Sequence, residues 1–235
     1  MAEQPLAKSG TSGIVEIRSN FRFRGERRYI NAPTIVESFR RAALEGLGLG
    51  QGTVHARAIK INQPITRNYP IRVFCGAALS DVSSLARPMA EMSCLVDGES
   101  VFVGLFDDKS WPVEERQPST EKRLIETLEP NRPFSGAVGI TGIHDNDALI
   151  QAVSETNKQL HMATLPSVDD ADGHYEFKFV YCLDYTFPPT IPTDLGRVTI
   201  ENVGTHESQD RKYTLNSIEL ELGSLKTRFR ICYGF

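Results

Sequence analysis

The sequence predicts an α+β protein in which one unit, a helix followed by a run of antiparallel strands, occurs twice. Three observations carry this. The stretch Asn146 to Met162 sets Ala148, Leu149, Ala152, Val153, Leu160 and Met162 at helical spacing, with Glu155 beside that apolar face. A run of strand formers from His174 to Phe187 follows it, after Pro166 closes the helix. The same order appears earlier, where Ala32 to Leu44 is a shorter helix with Glu37 at its middle and Thr53 to Ile61 is the strand after it.

Taken in order, Gly13 to Phe23 alternates apolar and polar residues and reads as a strand. Pro33 fits the first turn of the following helix, whose buried face is Ile35, Val36, Phe39, Ala43 and Leu44. The glycine-rich run Gly46 to Gly52 follows a helix and opens a strand. A phosphate-binding loop has the reverse order, so this run is a helix stop and turn. Strands are expected over Thr53–Ile65, Tyr69–Leu79 and Ala90–Phe106. Asp97-Gly98 splits the last into a hairpin or bends it at a bulge. Residues 107–136 are rich in charge and proline and read as a connection between two halves. A short helix is expected over Ser119–Leu128, and Trp111 is expected to pin the segment to the body. The second half repeats the pattern: a strand at Ala137–Ile143, the helix with Asn146 as its N-cap, then strands at Tyr175–Phe187, Gly196–Val203, Tyr213–Leu222 and Lys226–Tyr233. Each half supplies one apolar helix face for an antiparallel sheet to bury, and the two sheets can join edge to edge.

Composition narrows the function. At 235 residues, the chain is long enough for one large domain or two small ones. A net charge of −4 argues against a general nucleic-acid binder. No apolar run approaches the roughly 20 residues that cross a bilayer. Residues 1–12 read as a disordered polar lead without the apolar core of a signal peptide, so a cytoplasmic location is expected. Cys75, Cys94, Cys182 and Cys232 form no CxxC pair and read as buried free thiols. No histidine pair has metal-ligand spacing, so no metal is expected.

The element order resembles the hotdog fold, in which an antiparallel sheet wraps a central helix, here as two tandem repeats at 13–106 and 137–235 joined by the linker 107–136. Two local features sharpen this. Glu155 is followed four residues later by Gln159, as in the central helix of β-hydroxyacyl-thioester dehydratases. His144-Asp145-Asn146-Asp147 precedes the second helix, and Glu37 with Arg40-Arg41 and Glu155 with Lys158-Gln159 are similar to the glutamate motifs of the A-factor (γ-butyrolactone) biosynthesis family, which has two hotdog repeats. The departures are the absence of a histidine before the first helix, Arg41 in place of glutamine, Lys158 in place of arginine, and a missing glycine-proline entry to the helix.

The resemblance implies an enzyme acting on an acyl thioester of acyl carrier protein or coenzyme A, without a bound cofactor, the substrate itself carrying phosphopantetheine. The reaction expected is acyl transfer to a small hydroxyl acceptor or dehydration. A thioesterase, or a non-hydrolytic cyclase or hydrophobic small-molecule binding protein using the same cavity, stands as the alternative. A carboxylate beside an apolar helix face is desolvated and suited to general acid/base work, which makes Glu155 the leading catalytic candidate, with His144 and Glu37 beside it. Asp145, Asn146, Lys158, Gln159 and Arg40 are the expected substrate-binding residues. Arg22, Arg24, Arg27 and Arg28 form a basic cluster suited to docking an acidic carrier protein or phosphates. A duplicated unit is already a pseudo-dimer, and pairing again into a homodimer is compatible with it.

Overall fold

The computed structural model describes residues 13–118, 125–132, 135–164, 178–208 and 211–234. The first half contains β1 (Gly13–Arg18), β2 (Phe23–Arg24), α1 (Ala32–Gly46), β3 (Val54–Ile61), β4 (Pro70–Cys75), β5 (Ala90–Val96) and β6 (Glu99–Leu105). β7 (Arg116–Gln117) lies in the connection. The second half contains β8 (Ile125–Arg132), β9 (Ser135–Ile140), α2 (Asn146–Thr164), β10 (Lys178–Phe187), β11 (Gly196–Ser208), β12 (Arg211–Leu222) and β13 (Leu225–Gly234).

Eleven strands form one antiparallel sheet in the order β1-β4-β6-β5-β3-β10-β13-β12-β11-β9-β8. The halves meet where β3 pairs with β10, in a register that sets Ile59 opposite Cys182 and Val54 opposite Phe187. The edge-to-edge joining expected from the sequence is therefore present, and it satisfies two sheet edges that would otherwise be open. Residues from both helices and both halves of the sheet belong to one continuous hydrophobic core.

α1 begins at Asn31, with Pro33 in its first turn, and buries Ile35, Val36, Phe39, Ala42 and Ala43. Its end explains the glycine run. Gly48 has φ +67°, its N–H reaches the Glu45 carbonyl at 2.8 Å, and the Leu49 N–H reaches the Leu44 carbonyl at 2.9 Å. That pairing is a Schellman stop, for which a residue without Cβ is favoured. α2 is capped by Asp145, whose Oδ1 accepts the Ala148 N–H at 2.8 Å. The expected cap, Asn146, is instead the first helical residue.

Other expectations are decided or corrected. Asp97 and Gly98 both have positive φ, and β5 and β6 pair around them, so the stretch is a hairpin and not one bulged strand. The strand expected to Leu79 stops at Cys75, where Gly76 (φ +57°) turns the chain into a 3-10 helix, Gly76–Ser84. Of the helix expected over 119–128, residues 119–124 lie outside the described residues, and Ile125–Leu128 belong to β8, hydrogen-bonded to β9. Helical periodicity there was too short to outweigh a sheet edge in need of a partner. The expected lead, 1–12, also lies outside the described residues. Trp111 does pin the connection. Its backbone exchanges two hydrogen bonds with Asn68, and Arg18 lies 5.0 Å from the ring centroid.

Candidate functional site

The two helices pack against each other in opposite directions. The start of α1, residues 31–33, lines one cavity together with Ser154, Glu155 and Lys158 from the middle of α2. The middle of α1 lies toward the other end of α2, where Arg40 feels the charge of Asp145. The shared cavity measures about 570 Å³, within the range of small-molecule sites. Ile61, Ile65, Phe179 and Tyr233 supply apolar wall, and Arg27, Arg87 and Lys158 supply positive charge.

Glu155 is the one carboxylate among the described residues lining this cavity, and it is 6% exposed. Its Oε1 accepts a hydrogen bond from Gln159 Nε2 at 3.0 Å. That bond fixes the rotamer and leaves the carboxylate with further acceptor capacity. Lys158, half-buried on the same wall, is not the donor. Glu155 and Lys158 thus share the cavity wall, while Gln159, expected to bind substrate, does not line the cavity and instead orients Glu155.

The remaining candidates lie elsewhere. His144 is exposed, ahead of α2. Eleven residues separate it from Glu155, roughly 16 Å at helical rise, so the two do not act on one bond. Asp145 is occupied as the helix cap. Asn146 is buried, with Nδ2 donating to the Pro188 carbonyl at 3.0 Å and Oδ1 without a partner. Glu37 is clamped. Arg40 grips it through Nε and Nη2 at 2.7 and 2.8 Å, and Arg41 Nε adds a third bond at 2.7 Å. This clamp raises the proton affinity of Arg40, against the opposing effect of burial. Counted from the caps, Glu37 matches Gln151 and not Glu155, so the two glutamates are not equivalent members of a duplicated site.

A second polar centre was missed. Arg24, buried in β2, donates from Nη2 to Asp147 Oδ2 at 2.5 Å, and Gln151 Nε2 donates to the same oxygen at 2.6 Å. Burial raises the affinity of Asp147 for its proton, and the Arg24 guanidinium opposes that shift. Arg24 Nε and Asp147 Oδ1 are buried without partners. One signal was available: a carboxylate followed four residues later by glutamine occurs twice in α2, at Asp147 and Gln151 as well as at Glu155 and Gln159. The arginine could not be read off, because 123 positions separate it from Asp147. Arg24 accordingly leaves the expected basic docking cluster, and Arg22 is paired with Glu115 at 2.6 Å.

Further along α2 a neutral polar network replaces apolar packing. His161 Nδ1 donates to the Asn157 carbonyl at 2.7 Å, and Nε2 then accepts from Thr214 at 2.9 Å. Asn216 bridges Asn157 at 2.6 Å and Asn202 at 3.1 Å. Burial lowers the His161 value to about 4, so the ring is neutral near pH 7. The four cysteines are buried and free, and burial pushes Cys94 up to about 12. Among the described residues, no three His, Cys, Asp or Glu side chains are grouped to hold a metal ion, and no helix is long and apolar enough to cross a membrane.

No protein-family model and no curated protein matches the sequence. Solved structures do match. The dehydratase domain from the CurJ module of the curacin polyketide synthase aligns over 99% of this chain and 94% of its own, at 10% identity and a TM-score of 0.53. A variant of the GphF dehydratase, made for improved crystallization, aligns over 88% of this chain and 84% of its own, at 9% identity and a TM-score of 0.52. At such identity the likeness is one of fold. The chain is an α+β double hotdog, and its resemblance is to dehydratase domains of that fold.

Proposed function

We propose that this protein acts on an acyl thioester held in the cavity between its two helices, with Glu155 as the proton-transferring group. The observation that carries this is the buried glutamate, oriented by Gln159, as the one carboxylate among the described residues on the wall of a cavity lined by both apolar and polar side chains. A desolvated carboxylate is suited to removing a proton next to a thioester carbonyl. The start of α1 lines the same cavity. It has no side-chain cap, and although Pro33 offers no N–H, the positive end of the helix dipole faces the cavity and would favour a developing oxyanion.

Dehydration of a β-hydroxyacyl thioester is the leading reaction. Glu155 takes the α-proton and passes that same proton to the β-hydroxyl, so the C–O bond breaks, water leaves and a Cα–Cβ double bond forms with Glu155 returned to its carboxylate. The names of the structural neighbours support this choice. Acyl transfer to a small hydroxyl acceptor would use the same base on the acceptor. A second reading, a hydrophobic small-molecule binder or a cyclase that works by shape, is favoured by one observation: His144 stands far from Glu155, so the expected second acid/base group is not in place.

The test is turnover of a panel of acyl carrier protein and coenzyme A thioesters, followed by mass spectrometry, with wild type beside Glu155→Gln. The variant keeps the shape and removes the ionisable group. Its rate should fall by roughly two to four orders of magnitude. Equal turnover by both proteins would overturn the assignment. No turnover by wild type, with a hydrophobic compound co-purifying, would favour the binder.

A further inference from the structure

A small recess adjoins the main cavity between the helices. Ser154 and Phe179 line both spaces. Val36 of α1, Ile150 and Val153 of α2, Ile59 of β3 and Ile231 of β13 make the recess apolar. It measures about 20 Å³, room for about one water-sized group. It therefore takes the end of a ligand and not the length of a chain.

One group in this wall is out of place. Tyr185 of β10 lines the recess and is 3% exposed, and its hydroxyl has no hydrogen-bond partner among the described residues. The charges of Glu37 and Arg40 reach it, yet Arg40 and Arg41 already occupy the Glu37 carboxylate. The ring is not free to swing toward another partner. Phe187 and Phe229 stand edge-on to it, with centroids at 4.6 and 4.7 Å. A phenylalanine would fill the same space without the cost of an unpaired buried hydroxyl. The hydroxyl is thus held in advance for a group that the ligand brings. Ser154, on the same wall, accepts from the Tyr233 hydroxyl at 3.4 Å and keeps a further lone pair.

We infer that Tyr185 is a specificity residue, whose hydroxyl receives a hydroxyl at the far end of the acyl group, so that the protein selects acyl thioesters with an oxygenated chain end. The inference rests on the thioester reading of the cavity and adds to it the substrate class. A hydroxyl is a water-sized group that accepts from the phenol and donates to Ser154 Oγ. A methyl end fills the recess equally well and leaves the phenol unpaired.

Binding is measured without turnover, by titration calorimetry of the full chain with amide analogues of acyl pantetheines, in which nitrogen replaces the thioester sulfur. The straight acyl chains are graded in length, and each is made with a methyl end and with a hydroxyl end. At the length that reaches the recess, wild type should bind the hydroxyl-ended compound tighter by about tenfold or more. Tyr185→Phe should bind the two within about twofold or favour the methyl end. A second measurement needs no ligand. The urea midpoint of Tyr185→Phe should equal or exceed that of wild type, because the variant removes an unpaired hydroxyl and keeps the ring. A lower midpoint would show that the hydroxyl already has a partner and would overturn the inference. Equal binding of both ends by wild type at every length, or a preference kept in Tyr185→Phe, would overturn it as well. Wild type that binds neither series would overturn the thioester reading and the subsite together. Glu155→Gln with unchanged turnover would remove the reaction reading and leave the preference standing.

Discussion

The two helices occupy matching places in their repeats and bury different chemistry. α1 buries Ile35, Val36, Phe39, Ala42, Ala43 and Leu44, and its one buried charged group is Glu37. α2 buries Gln151, Glu155, Thr156, Asn157 and His161 among its apolar residues. Glu37 and Glu155 are each 6% exposed, so burial does not separate them. Their neighbours do. Glu37 has three bonds from two arginines of its own helix and is neutralised locally, while Glu155 has one bond from a neutral amide and opens onto a cavity. A buried carboxylate becomes available for chemistry when its compensation is incomplete, and α2 is where compensation is incomplete.

The comparison can be broken at α2 first. Beyond the rate loss expected for Glu155→Gln, Asp147→Asn should cost roughly 3–5 kcal/mol of stability, because it strands the Arg24 guanidinium inside the protein. Urea denaturation measures this. Replacing both partners together, Arg24→Met with Asp147→Leu, should recover most of the loss. A double variant as unstable as Asp147→Asn would mean that the pair is not the source of the cost.

His161 gives the next effect. Its folded value is about 4, against an ordinary 6.5. The unfolded chain therefore takes up this proton first as pH falls. Stability from His161 is fully present above about pH 6.5, declines through the window down to about 4, and is unchanged by this group below it. The full change is about 3 kcal/mol. Denaturation midpoints between pH 7 and 4 should fall for wild type and flatten in His161→Gln; parallel curves would exclude the histidine as the source.

α1 should give the smallest effects. Glu37→Gln should cost about 2 kcal/mol, since Arg40 is the mostly buried partner and Arg41 is 67% exposed. Arg41→Ala should cost less than about 0.5 kcal/mol. Neither should change the rate of folded protein by more than about twofold, as read by single-turnover kinetics. A hundredfold rate loss in Glu37→Gln would move the active carboxylate to the first repeat.

Much of this was legible before folding. Both helices, their apolar faces, the Asp97-Gly98 turn and the glycine stop are local matters of periodicity, capping and backbone freedom, carried by residues within a few positions of one another. The cluster Glu155, Lys158 and Gln159 was legible for the same reason, as neighbours on one helical turn. The cap moved by one residue because Asp145 and Asn146 are both good caps and only the hydrogen bond to Ala148 separates them.

The sequence by itself therefore determined both helices, most of the strands, the duplication and which residues share a helix face. The tertiary structure alone decided which carboxylate meets a cavity, which is clamped and which meets an arginine. Ile125–Leu128 became a strand because β9 offered an edge, and Arg24 found Asp147 because the β2–β7 pair holds it against the opposite repeat. Secondary structure follows from short-range dihedral and packing preferences, whereas desolvation and charge pairing depend on groups brought together from distant parts of the chain.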